Sequence, residues 1–125
     1  NDFTFSAMVN WKSNRNWERI FDFGDGVTGA TTGKWIILTT QNSVNQNFRA
    51  NITTSGSNNE DIVDSTSVLQ TNAWAHLAVV LEGNTLKLYR NGSLENSTST
   101  TLKPSDLSAV NNYIGVCCSH CSRFG

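Results

Sequence analysis

The sequence is poor in charge and in proline, and it has no long apolar run. Charged residues make up 15% of the 125 residues, and the formal net charge is -1. So small a charge gives no basic surface for nucleic acid or for anionic lipid. No apolar run approaches the roughly 20 residues that cross a bilayer. We therefore expect no nucleic acid among the partners of this chain and no membrane insertion.

The chain also lacks an initiator methionine and a signal peptide at its start, Asn1-Asp2-Phe3. Such a start predicts a mature or excised piece. Helical periodicity is missing too, because no apolar repeat of 3.6 residues persists anywhere. Short segments of alternating apolar and polar residues occur instead, and they predict an all-β protein.

The clearest of these segments is "NAWAHLAVVLEGNTLKLYRNGS", residues 72–93. Residues 74–81 are mostly apolar on both sides of the pleat, which predicts a strand covered on both faces, with Trp74 in the core. Gly83-Asn84 supplies the glycine that a type II′ turn requires, and Asn91-Gly92 fits a type I′ turn, in which both central residues have positive φ. Three strands are therefore predicted to form an antiparallel meander.

Other short segments have the same pattern and are separated by Gly, Asn and Ser clusters. They predict strands at residues 3–10, 18–23, 34–40, 47–53, 61–68, 97–102 and 112–116. The single proline, Pro104, predicts a bend or a short helical turn between two strands. Many short antiparallel strands in one domain, residues 1–125, predict an antiparallel β-sandwich of the jelly-roll type.

Three blocks of the sequence carry a family resemblance: "FTFSAMVNWKSNRNWERIFDFGDG", "STSVLQTNAWAHLAVVLEGNTLKLYRNGSL" and "TLKPSDLSAVNNYIG". In this order they resemble the laminin-G-like branch of the concanavalin A-like lectin/glucanase superfamily. The resemblance implies a jelly roll that serves as an extracellular, non-catalytic module for binding carbohydrate or protein, often with a calcium ion.

Two strands usual in that family are missing from the sequence. Family members have a strand before the first block, and they continue after Tyr-Ile-Gly into an Ile-Asp-hydrophobic strand. The resemblance therefore implies a sandwich without its usual first and last strands. Either the parent protein is longer, or a neighbouring chain supplies the closing strands, because open sheet edges favour pairing with another chain.

Catalytic patterns are also missing. Glycosidases of this superfamily carry paired carboxylates as Glu-x-Asp-x-x-Glu, and that motif does not occur here. The acidic residues Glu60, Asp61 and Asp64 are interpreted as a solvated loop. His76 and His120 are the only histidines, and neither has a nucleophile motif around it. We expect no enzyme activity from this chain; an ancillary domain of a larger glycoside hydrolase remains as a weaker alternative.

The stretch "FDFGDG" brings two carboxylates to a strand end and a turn, and oxygen ligands are what calcium prefers. By resemblance, a calcium-binding aspartate lies near this strand end, which points to Asp25 first and Asp22 second. The alternative interpretation makes Asp25-Gly26 a simple turn and Asp22 an outward strand residue.

Exposed aromatic rings are a second route to sugar binding, because they stack on the apolar face of a sugar ring. The candidates are Trp11, Trp17, Trp35 and Tyr113. For Trp11 and Trp17, which flank a polar loop, partial burial at the rim of the sandwich is the alternative.

The cysteines lie together near the end of the chain, in "CCSHCSRFG". Cys117, Cys118 and Cys121 can form at most one disulfide among themselves, which leaves a thiol for another chain or for a missing part of the parent. A zinc site that includes His120 is the less favoured interpretation, because structural zinc sites draw ligand pairs from separate segments.

Three N-glycosylation sequons begin at Asn51, Asn91 and Asn96. Asn91 is predicted at a hairpin tip and Asn96 in a polar run, whereas Asn51 falls in a predicted strand. Together with the cysteines and the family resemblance, the sequons favour a secreted or cell-surface location.

Two functions of different classes follow. The first is a carbohydrate- or protein-binding module with its site at a rim of the sandwich. The second is a structural module of an extracellular filament or surface assembly, held by strand edges or by a free thiol.

Overall fold

A computed structural model describes residues 2–115, which form two antiparallel sheets packed face to face. The first sheet has the strand order β1-β6-β7-β8, and the second has the order β5-β4-β3-β2-β9. The strands are β1 Phe3–Asn10, β2 Arg19–Gly24, β3 Trp35–Thr39, β4 Arg49–Thr53, β5 Asp61–Asp64, β6 Trp74–Glu82, β7 Thr85–Arg90, β8 Ser93–Ser99 and β9 Asn111–Ile114. The predicted antiparallel β-sandwich is confirmed.

The two hairpins of the first sheet have the predicted geometry. Glu82 pairs with Thr85 across Gly83, whose φ is 57°. Arg90 pairs with Ser93, and both residues between them, Asn91 and Gly92, have positive φ, at 50° and 82°. Turn chemistry alone thus fixes the meander β6-β7-β8.

The core lies between the sheets and is built from alternate residues of each strand. Leu77, Val79 and Leu81 of β6 face inward and meet side chains such as Phe21 and Leu38 from the second sheet. Phenylalanines dominate one end of this core, with the rings of Phe3, Phe5, Phe21 and Phe23 in mutual contact. Burying this apolar surface is the main force that holds the sheets together.

Two sequence predictions about the first sheet were wrong. Trp74 is 67% exposed rather than buried, because it alternates with the inward-facing Ala75 and so lies on the outer face of the sandwich. The strand predicted at residues 97–102 is β8, Ser93–Ser99, which starts directly after the type I′ turn. A two-residue turn leaves no room for a later start.

The described part of the chain contains two short 3₁₀ helices, at Ser57–Asn59 and at Pro104–Asp106. The second is the predicted turn at Pro104. Within residues 2–115 no helix is both long and apolar enough to cross a membrane.

Candidate functional site

The outer face of the five-stranded sheet carries buried polar side chains, although such a face normally meets water. In β4, Ala50 and Ile52 point into the core, so their neighbours point outward. The polar residues that point outward from β2, β3 and β4 are nevertheless buried. They are Arg19, Asp22, Thr39, Arg49, Asn51 and Thr53. Buried polar groups of this kind need partners, and their arrangement defines a site.

The loops that cover this face leave a pocket of about 420 Å³. That volume lies within the roughly 300–1,000 Å³ of small-ligand pockets. Strand residues form the floor, and the loops after β2 and β4 form the rim. The lining residues are Trp17, Arg19, Thr28, Gly29, Ala30, Trp35, Ile37, Asn51, Ser57 and Glu60.

Trp35 joins the floor of the pocket to its wall. Its indole Nε1 donates to Asn51 Oδ1 at 3.0 Å and to Glu60 Oε2 at 2.9 Å. Trp35 and Asn51 are only 4% and 1% exposed, so neither side chain can move far. The indole therefore holds an amide and a carboxylate side by side at the pocket.

The orientation of the Asn51 amide follows from this contact. Because an indole N–H only donates, the Asn51 oxygen must be the atom that faces it. The Asn51 Nδ2 group is then directed elsewhere, and it is buried with no hydrogen-bond partner in the described part of the chain. An unpaired buried donor costs roughly 1–3 kcal/mol, so the fixed Asn51 amide carries a folding cost.

Glu60 is the pocket carboxylate that lacks an ion pair among residues 2–115. Burial raises the pKa of its carboxyl above the ordinary value, while the Trp35 hydrogen bond and the positive charges of Arg49 and Arg19 act in the opposite direction. The interpretation of this stretch as a solvated loop was therefore wrong for Glu60, which contributes to the pocket wall.

Both arginines beside the pocket are held by carboxylates. Arg19 Nε lies 3.2 Å from Asp22 Oδ2, and Arg49 forms a two-point contact with Asp64 at 2.6 and 2.9 Å. Their positive charges are therefore largely neutralised within the sheet.

Trp17 lines the pocket and has a strained backbone conformation. Its φ is 63°, which is uncommon for a bulky residue. Its backbone N–H donates to Gln41 O at 2.7 Å, and its carbonyl accepts from Arg19 Nη1 at 2.5 Å. The Arg49 guanidinium lies 5.6 Å from the centre of the ring. Strained backbone conformations of this kind are concentrated at active sites and ligand-binding sites.

Three backbone hydrogen bonds join the two rim loops. Gly56 N donates to Gly33 O, Ser57 N to Gly29 O, and Asn58 N to Ala30 O, at 2.8 to 3.0 Å. The loops are therefore one structural unit rather than two independent flaps.

The two predicted calcium ligands are engaged separately. Asp22 forms the ion pair with Arg19 described above and is buried. Asp25 Oδ1 accepts hydrogen bonds from the backbone of Val27 and Lys34, which closes the base of a rim loop. Within residues 2–115 no three His, Cys, Asp or Glu side chains cluster in a way that would hold a metal ion. Calcium binding stays a prediction.

The predicted aromatic contacts divide between the pocket and the rest of the fold. Trp17 and Trp35 line the pocket. Trp11 is 5% exposed and packs in the core, so its ring faces are not available for stacking. Tyr113 is 40% exposed on β9 and is not part of the pocket lining.

Asn51 is placed wrongly for a glycan, because its amide is buried against Trp35. Asn91 and Asn96 are exposed, and their glycosylation stays a prediction. Cys117, Cys118, His120 and Cys121 lie outside the described residues, so the disulfide and zinc interpretations stay open.

Comparison with known proteins agrees with the fold. The family described as the concanavalin A-like lectin/glucanases superfamily, in a laminin-G-type profile, matches residues 1–122. A comparison with curated proteins finds no match. Among solved structures, the carbohydrate-binding module CBM66 from Bacillus subtilis superposes with a TM-score of 0.56 at 16% identity, covering 92% of this chain and 68% of that one. At that identity the likeness shows the fold, a jelly-roll sandwich. From the match to nearly its whole length, we conclude that the chain belongs to the concanavalin A-like lectin/glucanase superfamily.

Proposed function

We propose that this chain is a non-catalytic carbohydrate-binding module whose ligand occupies the pocket on the outer face of the five-stranded sheet. The observation that carries the proposal is a pocket whose lining combines two tryptophans with a carboxylate that Trp35 holds in place, Glu60. Sugar sites combine aromatic surface with a few fixed polar groups, because a sugar ring has both apolar faces and hydroxyls.

The family and the solved relative support the carbohydrate class. The family profile is that of lectins and glucanases, and the relative is a carbohydrate-binding module by its description. Among residues 2–115, Glu60 is the one acidic residue in the lining of the pocket, so this part of the chain places no pair of carboxylates there as a glycosidase does.

Binding should depend on Trp17 and not on the exposed tryptophan of the other sheet. We expect Trp17→Ala to weaken glycan binding about tenfold or more, as truncation of a central aromatic contact does. The matched control Trp74→Ala removes the same side chain from the opposite face and should change affinity less than about twofold. Isothermal titration of both variants against a glycan bound by the native chain measures this. Equal losses would contradict a site at this pocket.

Calcium dependence and an extracellular location complete the proposal, and both derive from the family resemblance. The same titration with calcium and with a chelator tests the first. Intact mass of material secreted from eukaryotic cells, before and after enzymatic deglycosylation, tests use of the sequons at Asn91 and Asn96. An affinity that does not change when calcium is removed would contradict calcium dependence. A mass equal to that of the unmodified chain would contradict glycosylation at the sequons.

A further inference from the structure

We propose that the pocket selects neutral over acidic sugars, with the Glu60 carboxylate accepting a hydrogen bond from a sugar hydroxyl. This inference rests on the proposed function and specifies the ligand class. It follows from the hydrogen-bonding capacity that the pocket leaves unused and from the sign of its charges.

Glu60 offers hydrogen-bond acceptors that suit sugar hydroxyls. Its Oε2 accepts from Trp35 Nε1 at 2.9 Å, which fixes the carboxylate in the lining of the pocket. An ionised carboxylate only accepts, and its two oxygens have capacity for further hydrogen bonds. A sugar hydroxyl can donate to this remaining capacity, whereas a ligand that carries acceptors alone cannot.

The charges at the pocket disfavour an acidic sugar. Each arginine at the pocket already faces a carboxylate, Arg19 with Asp22 and Arg49 with Asp64. Glu60 adds a further negative charge that no cation within residues 2–115 contacts as an ion pair. A uronic acid or sialic acid would bring its carboxylate into a partly buried site that already contains one. Two like charges at close range in low dielectric repel strongly.

The arginines do not reverse this repulsion. Arg19 lines the pocket and Arg49 lies over the Trp17 ring, but each guanidinium is already paired with an aspartate. A neutral sugar brings no carboxylate to the site and so avoids the repulsion from Glu60.

The test is a glycan array at pH 7 that contains neutral hexosides, pentosides and fructosides together with uronides, sialosides, sulfated glycans and amino sugars. We expect the chain to bind neutral sugars. Each neutral sugar should bind at least about tenfold more tightly than the uronic acid that differs from it only by a carboxylate in place of a hydroxymethyl group. Binding of uronides or sialosides equal to or tighter than that of their neutral counterparts would overturn this inference and leave the proposed function intact. Absence of binding to every glycan would overturn the proposed function itself.

A pair of charge-matched variants separates the pocket from the surface. Glu60→Gln removes the carboxylate from the pocket, and Glu82→Gln removes one from an exposed position on β6 with the same change in net charge. We expect Glu60→Gln to shrink the ratio of neutral to acidic binding and Glu82→Gln to leave it unchanged. A ratio that shifts equally in both variants would mean that long-range charge, and not Glu60, sets the preference.

Discussion

Substituting Gly56 by alanine is expected to lower the free energy of unfolding by about 2 kcal/mol or more and to abolish glycan binding. Gly56 has φ 83° and ψ -179°, a region that is almost exclusive to glycine. A Cβ at this position would lie 2.6 Å from backbone atoms of Gly29, Ala30 and Thr32. Backbone atoms cannot rotate away as side chains do, so the two rim loops must separate.

The loss of binding should follow from the same separation. Gly56 donates to Gly33 O, and the next two residues donate to Gly29 and Ala30, which line the pocket. Moving the loops apart breaks these bonds and opens the rim. The core between the sheets lies on the other side of β4 and should persist, so the variant should fold at reduced stability.

Thermal unfolding followed by circular dichroism measures the stability effect, and titration with glycan measures the binding effect. Gly92→Ala is the control, because Gly92 also has positive φ, at 82°, but nothing lies within 4 Å of an added Cβ. We expect that variant to lose about 1 kcal/mol from backbone strain alone and to bind normally. Equal stability losses in the two variants, with binding retained in both, would show that the rim does not depend on close packing at Gly56.

The Glu60→Gln substitution is expected to raise stability at neutral pH and to reduce glycan binding by about tenfold to hundredfold. Burial raises the folded-state pKa of Glu60 above its unfolded value near 4.5. The folded state therefore binds this proton more tightly than the unfolded state, so stability falls as pH rises from about the unfolded pKa through the folded one. At pH 7 the ionised carboxylate lowers stability, and glutamine removes that effect while keeping an oxygen for Trp35.

This stability difference can be tested by measuring the melting temperatures of the native chain and the variant between pH 3 and pH 8. We expect the variant to melt higher at pH 7 and the difference to vanish below about pH 4, where Glu60 is protonated in both states. The other charged groups near Glu60, Arg19 with Asp22, Arg49 with Asp64, and Asp61, are the same in both proteins. A variant that is less stable than the native chain at pH 7 would mean that attraction to the two arginines outweighs burial.

The Glu60→Gln substitution is expected to raise stability but to weaken glycan binding, and this combination distinguishes a binding residue from a structural one. A residue retained for folding lowers stability when it is replaced, whereas a residue retained for a ligand can lower binding and raise stability. Glu60 carries a folding cost from its burial, and it lines the pocket, where a ligand would offset that cost. This combination is the physical basis for placing the site here.

Local patterns were enough to predict most of the scaffold. The two hairpins depend on Gly83 and on Asn91-Gly92, and each turn is fixed by residues adjacent in sequence. Trp74 was misplaced because an apolar strand with an exposed aromatic looks, in sequence, like a strand buried on both faces. Alternation identifies two faces but does not say which of them packs.

The pocket was harder to predict because its parts are distant in sequence. Trp35 and Glu60 are separated by 25 residues and meet only through the pairing of β3, β4 and β5. Trp17 and Trp35 were predicted as ligand contacts, but Arg19, Asn51 and Glu60 were not. The sequence of β4 does contain a pattern that indicates a polar outward face, because Arg49, Asn51 and Thr53 occupy alternate positions. Sequence alone does not reveal that loops cover that row.

Nitrogen–proton correlation NMR during titration with the best neutral glycan tests whether the sugar occupies the pocket of the five-stranded sheet. The four tryptophans give four indole N–H signals, from Trp11, Trp17, Trp35 and Trp74. We predict that the Trp17 and Trp35 indoles and the Asn51 side-chain amide shift with one common dissociation constant, while the Trp74 indole stays in place. A shift of the Trp74 signal with the pocket signals unchanged would place the sugar on the opposite sheet and rule out binding at this pocket.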